Sequence, residues 1–485
     1  MKRKVNSERI SDNIIRLTTS SGYQIRLYAN HDVPIDHKSV ESVNGIGDIH
    51  ADISRLRQTD FFGGSDTVDM FDCILTPDFH KGAGIPVGTV METSGFVIPR
   101  SAGRDIGCGM RIVVLDIEAN EIRTVLTALQ TELRKIFFQG GRDLPLDEAG
   151  REAMLREGLP GLLGVSRLGG FWNSLPDSRI SREIEHACQN GSWKTENSWM
   201  FDDYIRGSGG VSRDAAIGSI GGGNHFVEIQ EIDEILDKKI GYDMQIHRGK
   251  TAVMIHSGSL GLGGMVGDHF VDRARNFVRK FAAASDEAFH PLPLIGPYQE
   301  EGRSYLSAMG LAANFAIVNR LAMTVMVEIA LQKVLGREVI SRTIYDAPHN
   351  LVWWNGDVCV HRKGASPAEA EMPVVLPGSM GDASWLLIGK GNQDTIFSAP
   401  HGSGRMVNRG SGRSKNPEEV EKLQVVTPID WKTLNRADIK AEKLKELMEE
   451  APSNYKPSLP ALNTVTESGM ASVVAKMSPI MTVKG

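Results

Sequence analysis

The sequence predicts an α+β fold: one large domain over residues 1–485, built round a mixed β-sheet core. Three observations carry that expectation. Helical and strand patterns alternate along the chain without a strict βα repeat. No segment recurs at a fixed period, which sets aside solenoids and propellers. No dinucleotide or Walker fingerprint follows a strand, as a doubly wound parallel sheet would require. The chain is 41% hydrophobic, enough to bury one large core or two ordinary ones.

Taken from the N-terminus, the first helical period lies over 120–138, where Ile122, Val125, Leu126, Leu129, Leu133, Ile136 and Phe137 fall on one face. A weaker helical pattern covers 266–284. The longest apolar stretch, 311–335, is interrupted by Asn314, Asn319, Arg320, Glu328, Gln332 and Lys333, so it reads as a core helix and not a membrane span. Strands are expected over 111–117, 251–255, 342–345, 374–376 and 395–397. Between helices and strands, 139–214 is glycine- and charge-rich with little periodicity outside 179–188, and it reads as a divergent insertion or surface subregion. Residues 438–450 form a solvated amphipathic helix, and 451–485 an extended tail.

Gly218-Ser219-Ile220-Gly221-Gly222-Gly223 superficially matches a dinucleotide loop. It runs into Asn224-His225 and then 226–229, which alternates like a strand instead of opening a helix, so that reading fails. Lys and Arg total 54 against 60 Asp and Glu, a net charge of −6. No global positive field attracts nucleic acid, and any RNA contact must use a local patch. The four cysteines, Cys73, Cys108, Cys188 and Cys359, include no CxxC pair. That argues against a disulfide scaffold or a zinc knuckle and for a reduced, cytoplasmic setting. No apolar run of signal-peptide length follows the charged N-terminus, so no membrane role is expected.

Chemistry concentrates at junctions between apolar runs and Gly- or Ser-rich turns. His401 closes such a run in Ser398-Ala399-Pro400-His401-Gly402-Ser403-Gly404-Arg405, with small neighbours that let a phosphate-sized group approach its ring. The same form recurs at Asp105-Ile106-Gly107-Cys108-Gly109, Gly223-Asn224-His225-Phe226, His256-Ser257-Gly258-Ser259 and Asp346-Ala347-Pro348-His349-Asn350. A lone histidine at a strand end is usually structural, but five such groups are hard to explain as packing. Asp105, Cys108, His225, His256 and His349 could hold two divalent ions, and ligand type alone leaves zinc and manganese open. Thr76-Pro77-Asp78-Phe79-His80-Lys81-Gly82 and Leu376-Pro377-Gly378-Ser379-Met380-Gly381-Asp382-Ala383-Ser384 are further candidate anion loops, or plain turns. Arg405, Arg409, Arg413 and Lys415 supply the local basic patch, read as RNA-binding. Arg405 is close enough in sequence to share a phosphate with His401.

Together these motifs, with His361-Arg362-Lys363-Gly364-Ala365 and the terminal Lys484-Gly485, resemble the RtcB-type RNA-splicing ligases. The resemblance covers most of the chain from about residue 43. It implies the RtcB-like fold with its active site in a central cleft. It also implies a GTP- and Mn2+-dependent ligase that joins RNA 2′,3′-cyclic phosphate or 3′-phosphate ends to 5′-hydroxyl ends, in RNA repair or tRNA splicing, with an archease-like activator as a partner. Carried over position by position, Cys108 resembles the ligand shared by two Mn2+ ions, with His225 and His256 on one and Asp105 and His349 on the other. His401 resembles the histidine that becomes guanylylated, on the way to an RNA-3′-pp-5′-G intermediate. Asn224, Glu228, Ser379, Ser384, Arg405 and Lys484 match positions that contact GMP, with Asp78 and Tyr455 beside them, and the C-terminal tail returns to that pocket. Leu260 stands where the family commonly has arginine, and Ser403 where alanine is more usual. The alternatives are a two-metal phosphoesterase or nuclease acting on RNA, and a non-catalytic RNA- or nucleotide-binding paralogue.

Overall fold

In the computed structural model, described over residues 4–485 except 83, 166–168, 197–198, 208–211, 214–215, 285–288 and 408–416, the strands gather chiefly into two large sheets. The seven-stranded sheet runs in the order Asn6–Ser11, Ile14–Thr18, Gln24–Tyr28, Asp69–His80, Val87–Ser94, Val358–Lys363, Asn350–Asn355. The eight-stranded sheet runs Ser341–Pro348, Gly109–Glu118, Lys250–Ser257, Phe226–Ile235, Ala471–Val483, Ser384–Gly389, Pro373–Leu376, with Val425–Val426 alongside Ala471–Val483. Pairing is antiparallel throughout most of both. The Gln24–Tyr28 pair with Asp69–His80 and the Val425–Val426 pair with Ala471–Val483 are parallel, so the core is the mixed sheet of an α+β fold.

The central helix, Gln299–Leu335, has 37 residues. Buried on every face between Tyr305 and Val327, and largely apolar there, it is a core helix rather than an amphipathic one. Gly336, at φ 67°, stops it in the left-handed conformation. The stretch Gly296–Leu335 is long and apolar enough to cross a membrane, but its apolar window is 100% buried inside the fold. The helix begins twelve residues before the apolar run because its first turns carry Glu300 and Glu301, which complement the helix start, and Arg303, and all three break the apolar pattern.

Other boundaries also move. Residues 120–138 form two helices, Ala119–Thr124 and Leu126–Phe138, separated at Val125, which leaves helical geometry at φ −112°. The apolar face survives the break, with Ile122, Leu129, Leu133, Ile136 and Phe137 buried. The helix expected over 266–284 is Gly261–Val278, its start hidden by glycine. Residues 395–397 are not a strand. Asn392 caps the short turn Gln393–Thr395 by accepting from the Asp394 amide, Ile396 and Phe397 take φ 49° and 50°, and the strand is Ser398–Pro400. A side-chain cap here overrides the β-propensity of Thr, Ile and Phe.

Two larger regions differ from expectation. The 139–214 segment is not a surface insertion. It folds into helices including Glu148–Glu157 and Asp177–Glu185 and contributes Leu146, Met154, Leu155, Leu162, Trp172 and Phe201 to the main core. Asn314 of the central helix stitches it in, donating to the Leu155 and Trp193 carbonyls and accepting from the Trp193 amide. Residues 451–485 are not an extended tail: after the helix Ser458–Glu467, Ala471–Val483 is an interior strand of the eight-stranded sheet. Pro479 masked it in sequence, and the fold accommodates that proline where the register against Phe226–Ile235 shifts, between Ile229 and Gln230. The helix Ala437–Met448 matches its expected place, with Leu447 buried.

Candidate active site

Four adjacent strands of the eight-stranded sheet end at the same edge. Register puts Pro348 opposite Gly109, Gly109 opposite Ser257, and His256 opposite both Met110 and Phe226. Cys108 precedes Gly109, His225 precedes Phe226 and His349 follows Pro348, so antiparallel pairing alone delivers one thiol and three imidazoles to one place. Asp105 joins them from the turn before Cys108. Gly258 leaves it room, since a Cβ there would lie 2.3 Å from Asp105 Oδ1.

Cys108 Sγ lies 3.2 Å from Nε2 of both His225 and His256. His256 Nε2 is 3.2 Å from His349 Nε2, and His225 Nε2 is 2.8 Å from Asp105 Oδ2. Donors bound to one ion at roughly 2.0–2.3 Å stand roughly 3.0–3.6 Å apart, so the 3.2 Å spacings of Cys108 to His225 and His256 fit a shared ion, while the 2.8 Å His225–Asp105 pair is at direct hydrogen-bond distance. Cys108, His225 and His256 together satisfy the spacing of a metal-holding group. His256 Nδ1 faces the Asn224 carbonyl at 3.0 Å. That partner fixes the proton on Nδ1 and leaves the Nε2 lone pair facing the thiol and His349, the orientation a metal-ligating imidazole takes. Burial, then the neighbouring imidazoles, hold His256 and His349 neutral, well below the ordinary histidine range. Burial and then Asp105 push the Cys108 thiol well above its ordinary value, the direction a bound divalent ion would reverse.

His401 follows Ser398–Pro400, which pairs with Ala365–Pro367. Its ring centroid is 4.5 Å from that of His349 and 6.3 Å from that of His256. His401 Nδ1 is 2.6 Å from Asp78 Oδ2 on the Asp69–His80 strand, and Asp78 also accepts from Thr76 Oγ1. The histidine therefore sits where the two sheets meet. It borders a cavity of about 840 Å³ lined also by Lys38, His80, Asp105, Cys108, His349 and Lys363. His401 retains 12% side-chain exposure while Asp78 has none. Lys456, which the sequence reading passed over, braces this corner by donating to the Pro77 and Phe79 carbonyls.

A narrower cavity of about 80 Å³ adjoins on the other side of His401, lined by Asn224, Ser379, Arg405, Glu450, Tyr455 and Lys484 among others. Arg405 donates to Glu450 Oε1 at 3.0 Å, Tyr455 Oη at 3.0 Å and the Glu449 carbonyl at 2.8 Å, with its guanidinium 4.9 Å from the Tyr455 ring centre. Lys484 donates to the Gly223 carbonyl at 2.7 Å and lies 3.5 Å from Glu450 Oε2. Glu450 thus collects Arg405, Tyr455 and Lys484, although nothing in its sequence context marked it. Behind this wall, buried Glu228 accepts from Thr482 Oγ1 and Gln230 Nε2, each at 2.6 Å, and Gln230 also donates to Ser384 Oγ. Burial pushes the Glu228 carboxyl up to about 7. Arg409, Arg413 and Lys415 lie outside the described residues.

A model of the tRNA-splicing ligase RtcB family matches residues 68–485. The chain is also similar to a protein described as tRNA-splicing ligase RtcB from Archaeoglobus fulgidus, at 29% identity over 444 residues, 85% of this chain and 87% of the relative. A second protein of that description, from Pyrobaculum aerophilum, is 30% identical over 448 residues, again 85% and 87%. One described as RNA-splicing ligase RtcB homolog 2, from Entamoeba dispar, is 28% identical over 449 residues, 85% and 80%.

Proposed function

Because the chain belongs to the tRNA-splicing ligase RtcB family, we propose that it is an RNA ligase that joins 2′,3′-cyclic phosphate or 3′-phosphate ends to 5′-hydroxyl ends, using GTP and two Mn2+ ions. The observation that carries this reading is His401, oriented by a buried carboxylate and sharing one cavity with Asp105, Cys108 and His349. A hydrolase built on the same ligands would need no protein nucleophile there.

In this reading Cys108 is common to both ions, His225 and His256 complete one site, and Asp105 and His349 the other. Ions bound there would screen the triphosphate and stabilise charge developing at phosphorus. Asp78 accepts the Nδ1 proton of His401, which leaves the Nε2 lone pair for the α-phosphorus of GTP. The nitrogen–phosphorus bond forms as the bond to pyrophosphate breaks. An oxygen of the RNA 3′-phosphate then displaces His401 from the guanylyl phosphorus, giving RNA-3′-pp-5′-G. A cyclic end first takes up water to become a 3′-phosphate. The 5′-hydroxyl attacks the RNA phosphorus of that anhydride, GMP leaves, and the phosphodiester is formed.

The narrower cavity, opening beyond its present volume of about 80 Å³, takes the guanosine, with Tyr455 against the base, Asn224, Ser379, Arg405 and Lys484 around it, and Glu228 and Ser384 as the carboxyl and hydroxyl behind. Arg409, Arg413 and Lys415 are proposed to follow the RNA backbone, and an archease-like protein to act as activator. The test is an RNA carrying a 2′,3′-cyclic phosphate and a 5′-hydroxyl, incubated with protein, GTP and Mn2+. Joined product that requires GTP is expected. Shortened fragments, formed with or without GTP, would establish the phosphoesterase reading instead.

A further inference from the structure

The polar residues that interrupt the central helix have no part in the chemistry above, yet two of them bond to the residues adjoining Cys108 and His256 and to the stretches that lead to His225 and His349. Arg320 is fully buried. Its NH1 donates to the Gly107 carbonyl at 2.8 Å and the Ser257 carbonyl at 2.9 Å, and its Nε to Asp346 Oδ1 at 2.8 Å. Gly107 precedes Cys108, Ser257 follows His256, and Asp346 lies on the strand that leads to His349. Asn319, equally buried, accepts from the Gly218 amide at 2.7 Å and donates to the Ser219 and Gly258 carbonyls at 3.1 and 3.2 Å. It thereby ties the turn that approaches His225 to the turn that leaves His256. The loop also rests directly on the helix. Gly107, at φ +74°, could not carry a Cβ without closing to 2.9 Å on Ala316 and 3.0 Å on the Ala313 backbone.

Stability alone does not account for this arrangement. Asp346 is shared by Arg320 and Arg111, and Arg111 also pairs with Glu183, so four charges are buried in an otherwise apolar interior. Such clusters are often no more stable than well-packed apolar side chains of the same volume. What a planar guanidinium offers is fixed geometry, because one NH2 group bonded to two carbonyls sets the distance between the loops that own them.

We propose that Arg320 and Asn319 are the positioning residues of the metal centre, holding Cys108, His225, His256 and His349 at coordinating distance from behind. The inference rests on the metal-centre reading given under Proposed function. Arg320 acts through Gly107, Ser257 and Asp346 and touches no substrate. Residues that orient metal ligands typically change affinity about 10- to 100-fold when altered.

Cobalt(II) titration of the full chain tests this, read by the thiolate-to-cobalt charge-transfer absorption that Cys108 would generate. Arg320→Lys keeps the charge and loses the fork. It is expected to weaken cobalt binding about 10- to 100-fold and to shift the absorption, with Asn319→Ala weakening it less. Arg151 is an equally buried arginine, bonded to the Ile205 and Leu146 carbonyls away from the site. Arg151→Lys should lower the melting temperature yet bind cobalt as the unaltered protein does. If Arg320→Lys does not fold, Asn319→Ala decides. Unchanged affinity and absorption in both site variants, or equal weakening in Arg151→Lys, would overturn the inference while leaving the metal centre standing. No charge-transfer band in the unaltered protein, or one that survives Cys108→Ala, would remove the metal centre and this inference together.

Discussion

Cys108, His225, His256 and His349 reach the cavity from the ends of four hydrogen-bonded strands, whereas Arg405, Glu450 and Tyr455 reach the neighbouring pocket from loops and Lys484 from just beyond the C-terminal strand. In the first region the sheet register fixes the spacing, and the interior of the central helix supports it. In the second, one carboxylate does most of the holding, since Glu450 gathers Arg405, Tyr455 and Lys484. Rigid elements place side chains more tightly than loops do. On the proposed reading, the metal half is expected to keep its geometry through every step and the nucleotide half to rearrange as a ligand enters and leaves.

Substitutions should separate the two halves. Cys108→Ala removes the donor common to the proposed ions, and both cobalt binding and RNA joining are expected to fall to background. Joining that persists would show that the strand-end cluster is not the catalytic metal site. Asp78→Asn keeps the shape of the His401 pair but removes the charge and, with its oxygen kept by Thr76 Oγ1, turns an NH2 donor toward His401 Nδ1, favouring the other tautomer. Joining should drop roughly 10²- to 10⁴-fold with cobalt affinity unchanged, measured by single-turnover kinetics and titration. Glu450→Gln should raise the GTP concentration needed for half-maximal rate about tenfold, the equivalent of one charge-assisted hydrogen bond of roughly 1.4 kcal/mol. It should leave the cobalt spectrum untouched. A changed spectrum would mean the two halves are coupled.

The last effect is on stability and depends on pH. The Glu228 carboxyl is pushed from an ordinary 4.5 up to about 7 by burial. Between those values the unfolded chain has released this proton and the folded chain still holds it, so stability falls as pH rises through the window. Glu228→Gln removes that slope. Relative to the unaltered protein it should gain on the order of 1–3 kcal/mol on going from pH 5 to pH 8, measured by denaturant unfolding. A difference independent of pH would show that Glu228 is ionised in the folded state across the window.

The strand-end cluster was legible in the sequence because its members combine a metal-competent side chain with an adjoining turn, rich in glycine or serine at Asp105, Cys108, His225 and His256 and marked by Pro348 and Asn350 at His349, a local pattern. His401 stood out for the same reason. Glu450 did not, because its importance comes from residues 45 and 34 positions away, Arg405 and Lys484, and from Tyr455 beside it. Arg320 and Asn319 were visible only as blemishes that ruled out a membrane span, since periodicity cannot say that a polar residue in an apolar helix faces three loops. The C-terminal strand was missed because Pro479 reads as a strand breaker until the bulge that admits it is seen. The 139–214 segment was misjudged because its buried side chains come from short helices and turns too brief to show a period.

His401, held by Asp78 beside the strand-end cluster, is proposed to take up a nucleotide covalently. Incubating the protein with Mn2+ and GTP labelled at the α-phosphate, then separating it under denaturing alkaline conditions, tests this directly. An acid-labile label is expected on the protein, absent in His401→Ala and discharged by RNA ending in a 3′-phosphate. Label retained in His401→Ala, or RNA joined by protein that lacks His401, would contradict it.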